Sequence, residues 1–408
     1  MKADLLVRGI SQLVTAEGAG PKRGRQMREL KIIENAAIAI TQAQITWVGK
    51  EQNWDGATST TMDAGHRAVV PGLVDPHTHA VWAGDRLADF EARSSGATYE
   101  SILAAGGGIR STVRATADAS VEQLTALARC RISRLVRSGA TVIEVKSGYG
   151  FTPDAELRML EVIRALAAAA PARILPTLLI HIPSTRAEER KDYLGEICRQ
   201  LIPEVARRKL ATAVDIFVEK EAWCATEAKS VLVAAQQHGL AIKMHTEQFH
   251  SIGGLELGIQ MSALSVDHLE ACRPQQFDAL AAGDTVATIL PGVSLHLGIP
   301  AAPGRELIEA GVAIAVGTDL NPGSSPLFSA ATALALAVRL NGLTPQEALV
   351  AGTANAAAAL GLENAGRIAV GQPADFLVLE GSDWRELIYT LGANPVREVW
   401  IRGQMVAA

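Results

Sequence analysis

The sequence predicts an α/β protein: a TIM-type (β/α)8 barrel joined to a small β domain drawn from both chain ends. Three observations lead there. Eight short apolar, β-branched runs alternate with helical stretches through the middle of the chain. Both ends are β-rich instead, and several of the middle runs finish on His or Asp.

The ends come first. "ADLLVRGISQLVT" and "AAIAITQAQITWVGK" alternate apolar and polar residues between Gly and Asn breaks, the pattern of half-buried strands. "ADFLVLE" and "VREVWIRGQMV" repeat that character near the C-terminus. The expected division is therefore 1–70 plus 357–408 for the small domain and 71–356 for the barrel.

In the middle, the runs are Val69–His77, Thr141–Ser147, Arg173–Ile180, Ala213–Glu219, Ala241–Glu247, Leu264–Glu270, Val286–Gly292 and Val312–Asp319. Near-continuous apolar strands separated by helices indicate a parallel sheet covered on both faces. Eight such units in about 250 residues match the size of a (β/α)8 barrel. An open doubly wound sheet shares the same alternation, because strand count does not prove closure. The helix signals agree. Ser120 with Gln123 forms a capping box before a helix stopping near Gly139. Thr152-Pro153 and Thr344-Pro345 with Glu347 supply caps and first-turn prolines for two more.

Composition narrows the class. At 48 % hydrophobic, the chain of 408 residues can bury a large core, which argues against disorder. Net charge is −5 with the signs scattered, so no basic stripe points to nucleic acid or an anionic membrane, and a small-molecule substrate is expected. No apolar run reaches about 18 residues, so no membrane span is expected. The start lacks the features of a signal peptide. Cys130, Cys198, Cys224 and Cys272 show no zinc or redox spacing and read as thiols of a reducing compartment, the cytoplasm.

Chemistry in such a barrel sits at the C-terminal strand ends. Strand one ends with His77 and His79, strand five with His245, strand six with His268 and strand eight with Asp319. Residues i and i+2 of a strand share a face, so His77 and His79 can reach one ion. His245 and Asp319 complete a His₃Asp set that suits Zn²⁺ or Fe²⁺ and leaves a position for water. His66, His238, His250 and His296 read as structural. Gly106-Gly107-Gly108 lacks Walker spacing, and no dinucleotide site is expected.

These residues carry a resemblance. "PGLVDPHTH" after a β-rich start, with a late "GTD", resembles the amidohydrolase superfamily. "HAVWAGDR", "GGGIRSTVRAT", "EVKSGYG", "SVDHLE", "ILPG" and "TDLNPGSSP" resemble the imidazolonepropionases over nearly the whole chain. The resemblance implies a distorted TIM barrel, a small β-sandwich-like domain, one Zn or Fe ion and a homodimer. It implies hydrolysis of the ring of 4-imidazolone-5-propanoate to N-formimidoyl-L-glutamate. By motif, the ligands would be His77, His79, His245 and Asp319. Asp319 and His268 would be catalytic. Arg86, Tyr149, His181, Gln248, Asn321, Gly323 and Ser324 would contact substrate, with Tyr99 a further candidate. A guanidinium offers a bidentate fork for the propanoate, and a phenol donates to an oxygen.

Two departures matter. The family's segment after strand three is one residue longer than "HIP" at 181–183, which puts the placement of His181 in question. Position 248 is Gln, which orients substrate but carries no proton. That also argues against a base deaminase, which needs Glu there. A related hydrolase of another small cyclic acid remains the alternative, and a metal-free binding protein is the alternative from another class.

Overall fold

Alternation at the ends and apolar runs in the middle fold into two separate sheets. In chain order the strands are β1 (Lys2–Val14), β2 (Ile32–Thr41), β3 (Gln44–Lys50), β4 (Ala57–Pro71), β5 (Leu73–Asp75), β6 (Ala140–Lys146), β7 (Arg173–Ile180), β8 (Ala213–Val218), β9 (Ala241–Thr246), β10 (Ser265–His268), β11 (Val286–Ile289), β12 (Ile314–Val316), β13 (Phe376–Leu379), β14 (Val396–Ile401) and β15 (Gln404–Ala407). This computed structural model describes residues 2–18, 20–97, 101, 106–183 and 186–408. Tyr99 lies outside the described residues.

The terminal strands form one seven-stranded sheet, ordered β15-β14-β13-β4-β1-β2-β3. Only β1 and β4 pair in parallel; their partners run antiparallel. Alternate residues such as Val7, Ile10, Ile38, Ile40, Val69, Phe376 and Val378 turn to one face and make its core.

The middle strands form an eight-stranded all-parallel sheet in sequence order, β5 to β12. It rolls up until its two edge strands meet just beyond their ends. Thr78 bridges Leu320, the Asp319 amide donates to the His77 carbonyl at 3.0 Å, and the His79 amide donates to the Leu320 carbonyl at 2.9 Å. Thr318 adds its amide and hydroxyl to the Asp75 carboxylate at 3.0 and 2.6 Å. The barrel is thus closed by the residues that carry the candidate ligands. Ala356, Ala357, Leu360 and Ala365 pack on Val74, Val142, Leu175, Val286 and Ala315, toward the N-terminal ends of the strands.

All eight expected strands are present, several of them shorter than the sequence suggests. The first run splits: Val69–Pro71 ends β4 in the small sheet, and β5 begins at Leu73. Gly72 makes the switch, since a Cβ there would lie 2.3 Å from Thr141 Oγ1. The seventh run stops at Ile289 because Pro291 opens a helix, Pro291–Leu297. The expected caps form as read. Ser120 Oγ accepts from the Gln123 amide while Gln123 Oε1 accepts from the Ser120 amide, and Thr152 Oγ1 accepts from the Ala155 amide.

The Thr344 capping box does more than start a helix. Its Glu347 is fully buried and accepts from Arg28 Nε at 2.9 Å and from Arg305 Nη1 at 2.8 Å, tying the N-terminal segment to the barrel. Burial would raise the Glu347 pKa, but the Arg305 hydrogen bond prevails and holds it at about 2. Glu347→Ala should cost about 3 kcal/mol in urea unfolding, from lost charged hydrogen bonds and a lost cap. A depressed carboxyl stabilises above its unfolded-state pKa, so this difference between the two proteins should fade as pH falls toward 2.

Candidate active site and metal centre

The parallel strands aim their C-terminal ends at one rim, and the polar residues placed there converge. His77 and His79 leave β5, His245 lies on β9, His268 ends β10 and Asp319 follows β12. All five are buried. His77 Nε2 lies 3.3 Å from His79 Nε2, which lies 3.4 Å from His245 Nε2. Asp319 Oδ1 joins them, 3.3 Å from His77 Nε2 and 3.1 Å from His79 Nε2. A tetrahedral site with bonds of about 2.0–2.1 Å has edges of about 3.3–3.4 Å. The measured separations match such edges: His77, His79 and His245 offer ligand atoms that all lie within 4.8 Å of one another, and Asp319 adjoins two of them.

Electrostatics agree with the geometry. Burial and Lys146 press the His77 ring toward neutrality, yet Asp267 and Asp319 prevail and raise its pKa to about 9. Against the cost of its own burial, contacts with His77 and His79 hold Asp319 well below the usual carboxylate range. Burial, with His77 and Lys146 beside it, keeps His245 neutral. The cage favours a positive charge at its centre.

Ring orientation is fixed from behind. His77 Nδ1 is 2.6 Å from Asp267 Oδ2, and His245 Nδ1 is 3.0 Å from Asp215 Oδ2. The Asp267 hydrogen bond on His77 Nδ1 selects the tautomer whose Nε2 lone pair faces a metal, whereas Asp215 accepts from the His245 backbone amide at 3.0 Å rather than from its ring. Asp319 is held by its neighbours: Asn321 Nδ2 donates to its Oδ2 at 2.9 Å, and Asn321 Oδ1 accepts from the Gly323 and Ser324 amides, each at 2.8 Å. Asp319, His268 and Glu247 all adopt left-handed backbone, with φ of 50°, 89° and 57°. Such conformations are costly for non-glycine residues and gather at functional sites.

The other expected residues stand around this cage. The His268 ring centre is 5.3 Å from that of His245. His181 directly follows β7. Its ring is 5.9 Å from that of His79, and burial lowers its pKa to about 3. Tyr149 is buried 6.1 Å from the His79 ring, and burial with the Asp319 carboxylate raises its pKa, keeping the phenol a donor. Gln248 is buried just beyond β9. Arg86 is pinned by Asp89 Oδ2 at 2.5 Å, by Thr112 Oγ1 at 3.0 Å and by the Gly108 carbonyl. Its Nη2 faces Gly323, where a Cβ would stand 3.3 Å away. The loop from His79 to Arg86 rests on buried Arg131, which donates to the Ala80 and Trp82 carbonyls at 3.0 and 2.7 Å.

The histidines read as structural stay out of the cage. His238 caps the helix Ala225–Gln237, His250 Nδ1 lies 2.7 Å from Glu219 Oε1, and His296 stacks on Phe90. The four cysteines are free.

Sequence reasoning missed a charged layer beneath the cage. Glu144, Lys146, Asp215, Lys243 and Asp267 are all fully or almost fully buried. The signal was a charge inside each of four otherwise apolar runs, where a strand buried on both faces has no water to offer it.

A parallel barrel whose rim clusters His77, His79 and His245 fits a metal-dependent hydrolase of the amidohydrolase class, and residues 68–406 match the model described as "Amidohydrolase family". Similar folds occur in an adenosine deaminase from Xanthomonas campestris with bound zinc (TM-score 0.74, 19 % identity, covering 99 % of this chain and 93 % of that one). A 5-methylcytosine deaminase from Klebsiella pneumoniae is similar too (TM-score 0.74, 17 % identity, covering 98 % and 97 %). The chain is 60 % identical to the imidazolonepropionase of Deinococcus deserti over 99 % of its own length and 100 % of the relative's. It is 42 % identical to that of Chloroflexus aggregans, covering 99 % and 98 %. The chain belongs to the imidazolonepropionases.

Proposed function

We propose that His77, His79, His245 and Asp319 hold one divalent ion, zinc or iron, and that Asp319 and His268 perform the proton chemistry of hydrolysis. The reaction is that of the family: opening of the cyclic amide C–N bond of 4-imidazolone-5-propanoate to give N-formimidoyl-L-glutamate, a step of histidine degradation. What carries the reading is the cluster of His77, His79 and His245 ligand atoms within 4.8 Å of one another, with Asp319 Oδ1 at 3.1–3.3 Å from two of them.

A divalent ion in such a cage supplies Lewis acidity and lowers the pKa of water toward about 7. Asp319 takes a proton from the attacking water as its oxygen bonds to the ring carbonyl carbon. His268 orients that water and the oxyanion developing on the carbonyl. Asp319 then passes the proton to the ring nitrogen as the C–N bond breaks, so bonds and protons balance. Tyr149, His181 and Gln248 hold the ring, and Asn321, Gly323 and Ser324 line the same pocket. Residues 71–356 carry every one of these groups; 1–70 with 357–408 serve as the small domain.

Arg86 binds the propanoate. With Nε and Nη1 tied to the protein, its orientation is set before substrate arrives, and among the described residues Nη2 has no hydrogen-bond partner beside Gly323. Purified protein should consume freshly made 4-imidazolone-5-propanoate, followed by loss of its ultraviolet absorbance. Arg86→Met should raise KM about 10–100-fold with kcat within a few-fold, as expected for a charged contact made equally in ground and transition states. A large fall in kcat at unchanged KM would place Arg86 elsewhere.

The enzyme is inferred to act as a homodimer in the cytoplasm, on a small-molecule substrate and without nucleic acid. The family resemblance supports the dimer, and the free cysteines suit a reducing compartment. Among the described residues no helix is long and apolar enough to cross a membrane.

A further inference from the structure

Directly behind the ligand cage lies a layer of charge without access to solvent. The side chains of Glu144, Lys146, Asp215, Lys243 and Asp267 are at most 1 % exposed. Lys146 Nζ sits 2.7 Å from both Glu144 Oε2 and Asp215 Oδ2. Lys243, two residues before His245 on the same strand, sends Nζ across the barrel. It donates to the Pro76 carbonyl at 2.9 Å, next to His77, and lies 3.6 Å from Asp267 Oδ2 and 3.4 Å from Glu144 Oε2. The oxygen it faces on Asp267 is the one 2.6 Å from His77 Nδ1. The other oxygen of Asp267 accepts from Ser265 Oγ at 2.5 Å.

Lys243 offsets the buried charge of Glu144 and Asp267, but charge compensation alone does not require its place behind the cage. A buried ion pair often stabilises no more than apolar residues of the same volume, because both charges lose water. Its charge also repels any cation in the cage. What Lys243 does supply is a fixed point joining three strands: Pro76 after β5, Glu144 on β6 and Asp267 on β10. We propose that Lys243 is a positioning residue for the metal centre, holding Asp267 in place and, through Asp267, aiming His77 Nε2 into the cage. The proposal rests on the assignment of His77 as a ligand.

The direction of the effect separates positioning from charge. Loss of a bystander ammonium tightens cation binding, whereas loss of a positioning group weakens it. Outer partners of ligand histidines typically contribute about 10–100-fold to metal affinity. The test measures Zn²⁺ affinity by competition with a chromophoric chelator, with circular dichroism to monitor folding. It compares the unaltered protein with Lys243→Met, Asp267→Asn and the double variant. Lys243→Met should bind Zn²⁺ about 10–100-fold more weakly, and in the Asp267→Asn background the same change should have almost no further effect. Unchanged or tighter binding by Lys243→Met, or losses that multiply in the double variant, would overturn the proposal. Should Lys243→Met not fold, Lys243→Met with Glu144→Gln removes one charge of each sign and carries the same expectation and the same refutation. Failure of the unaltered protein to bind Zn²⁺ would instead sink the ligand assignment.

Discussion

Asp319→Ala should slow turnover at least about 10³-fold, because it removes a ligand and a proton carrier together. Proton transfer by a positioned carboxylate typically contributes about 10²–10⁴-fold, and loss of a ligand adds to it. The surroundings of Asp319 suit that double duty. Oδ1 stands 3.1 Å from His79 Nε2 while Asn321 Nδ2 fixes Oδ2 at 2.9 Å, so one oxygen faces the cage and the other is held by the protein. Its left-handed φ of 50° is sustained by the closure of the barrel, where its amide donates to the His77 carbonyl. Asp319→Asn divides the two roles, since an amide oxygen can ligate but cannot carry the proton. This variant should retain metal while losing about 10²–10⁴ in kcat. Steady-state rates with parallel metal analysis decide it, and Asp319→Asn retaining a tenth of the unaltered kcat would remove Asp319 from the proton path.

How much of this was legible depended on whether the cause lay near in sequence. His77 and His79 were readable because a period of two puts both on one face at a strand end. His245, His268 and Asp319 were readable as polar residues at or near the ends of apolar runs, which a barrel brings to one rim. Closure itself was not readable. It rests on backbone bonds between His77, His79 and residues 319–320, far apart in the chain. The charged layer was passed over for a related reason. Lys146, Asp215, Lys243 and Asp267 each look like an interruption of an apolar run, and only their mutual contacts across four strands make them stable. The first run spans two strands because a single apolar run serves two sheets, and only the approach of Thr141 shows why Gly72 divides it. Left-handed φ at Glu247 has no signature in residue type, since Glu is not among the residues that favour that region.

Removal of metal with a strong chelator should abolish turnover and lower thermal stability, while far-ultraviolet circular dichroism stays that of a folded barrel. The separation of these readouts follows from where the cage sits. The eight-stranded sheet and its apolar packing do not depend on the ion, so the fold should persist. The cage, however, brings three imidazoles within 4.8 Å of one another and a carboxylate beside two of them, and only the folded chain does so. An ion that binds the folded state alone stabilises it by about 4 kcal/mol when present at a thousand times its dissociation constant. Chelation should therefore lower the melting temperature, and adding back Zn²⁺ or Fe²⁺ should restore both stability and turnover at one ion per chain. The two ions can be told apart by which restores the higher rate, and the count by the break point of the titration. The His77 ring gives an independent check, because its raised pKa near 9 lets it carry a proton that an arriving cation must displace. Metal binding near neutral pH should then release protons to the buffer, measurable by calorimetry in buffers of different ionisation enthalpy. Turnover that survives complete chelation would show that the four side chains meet for some purpose other than holding an ion.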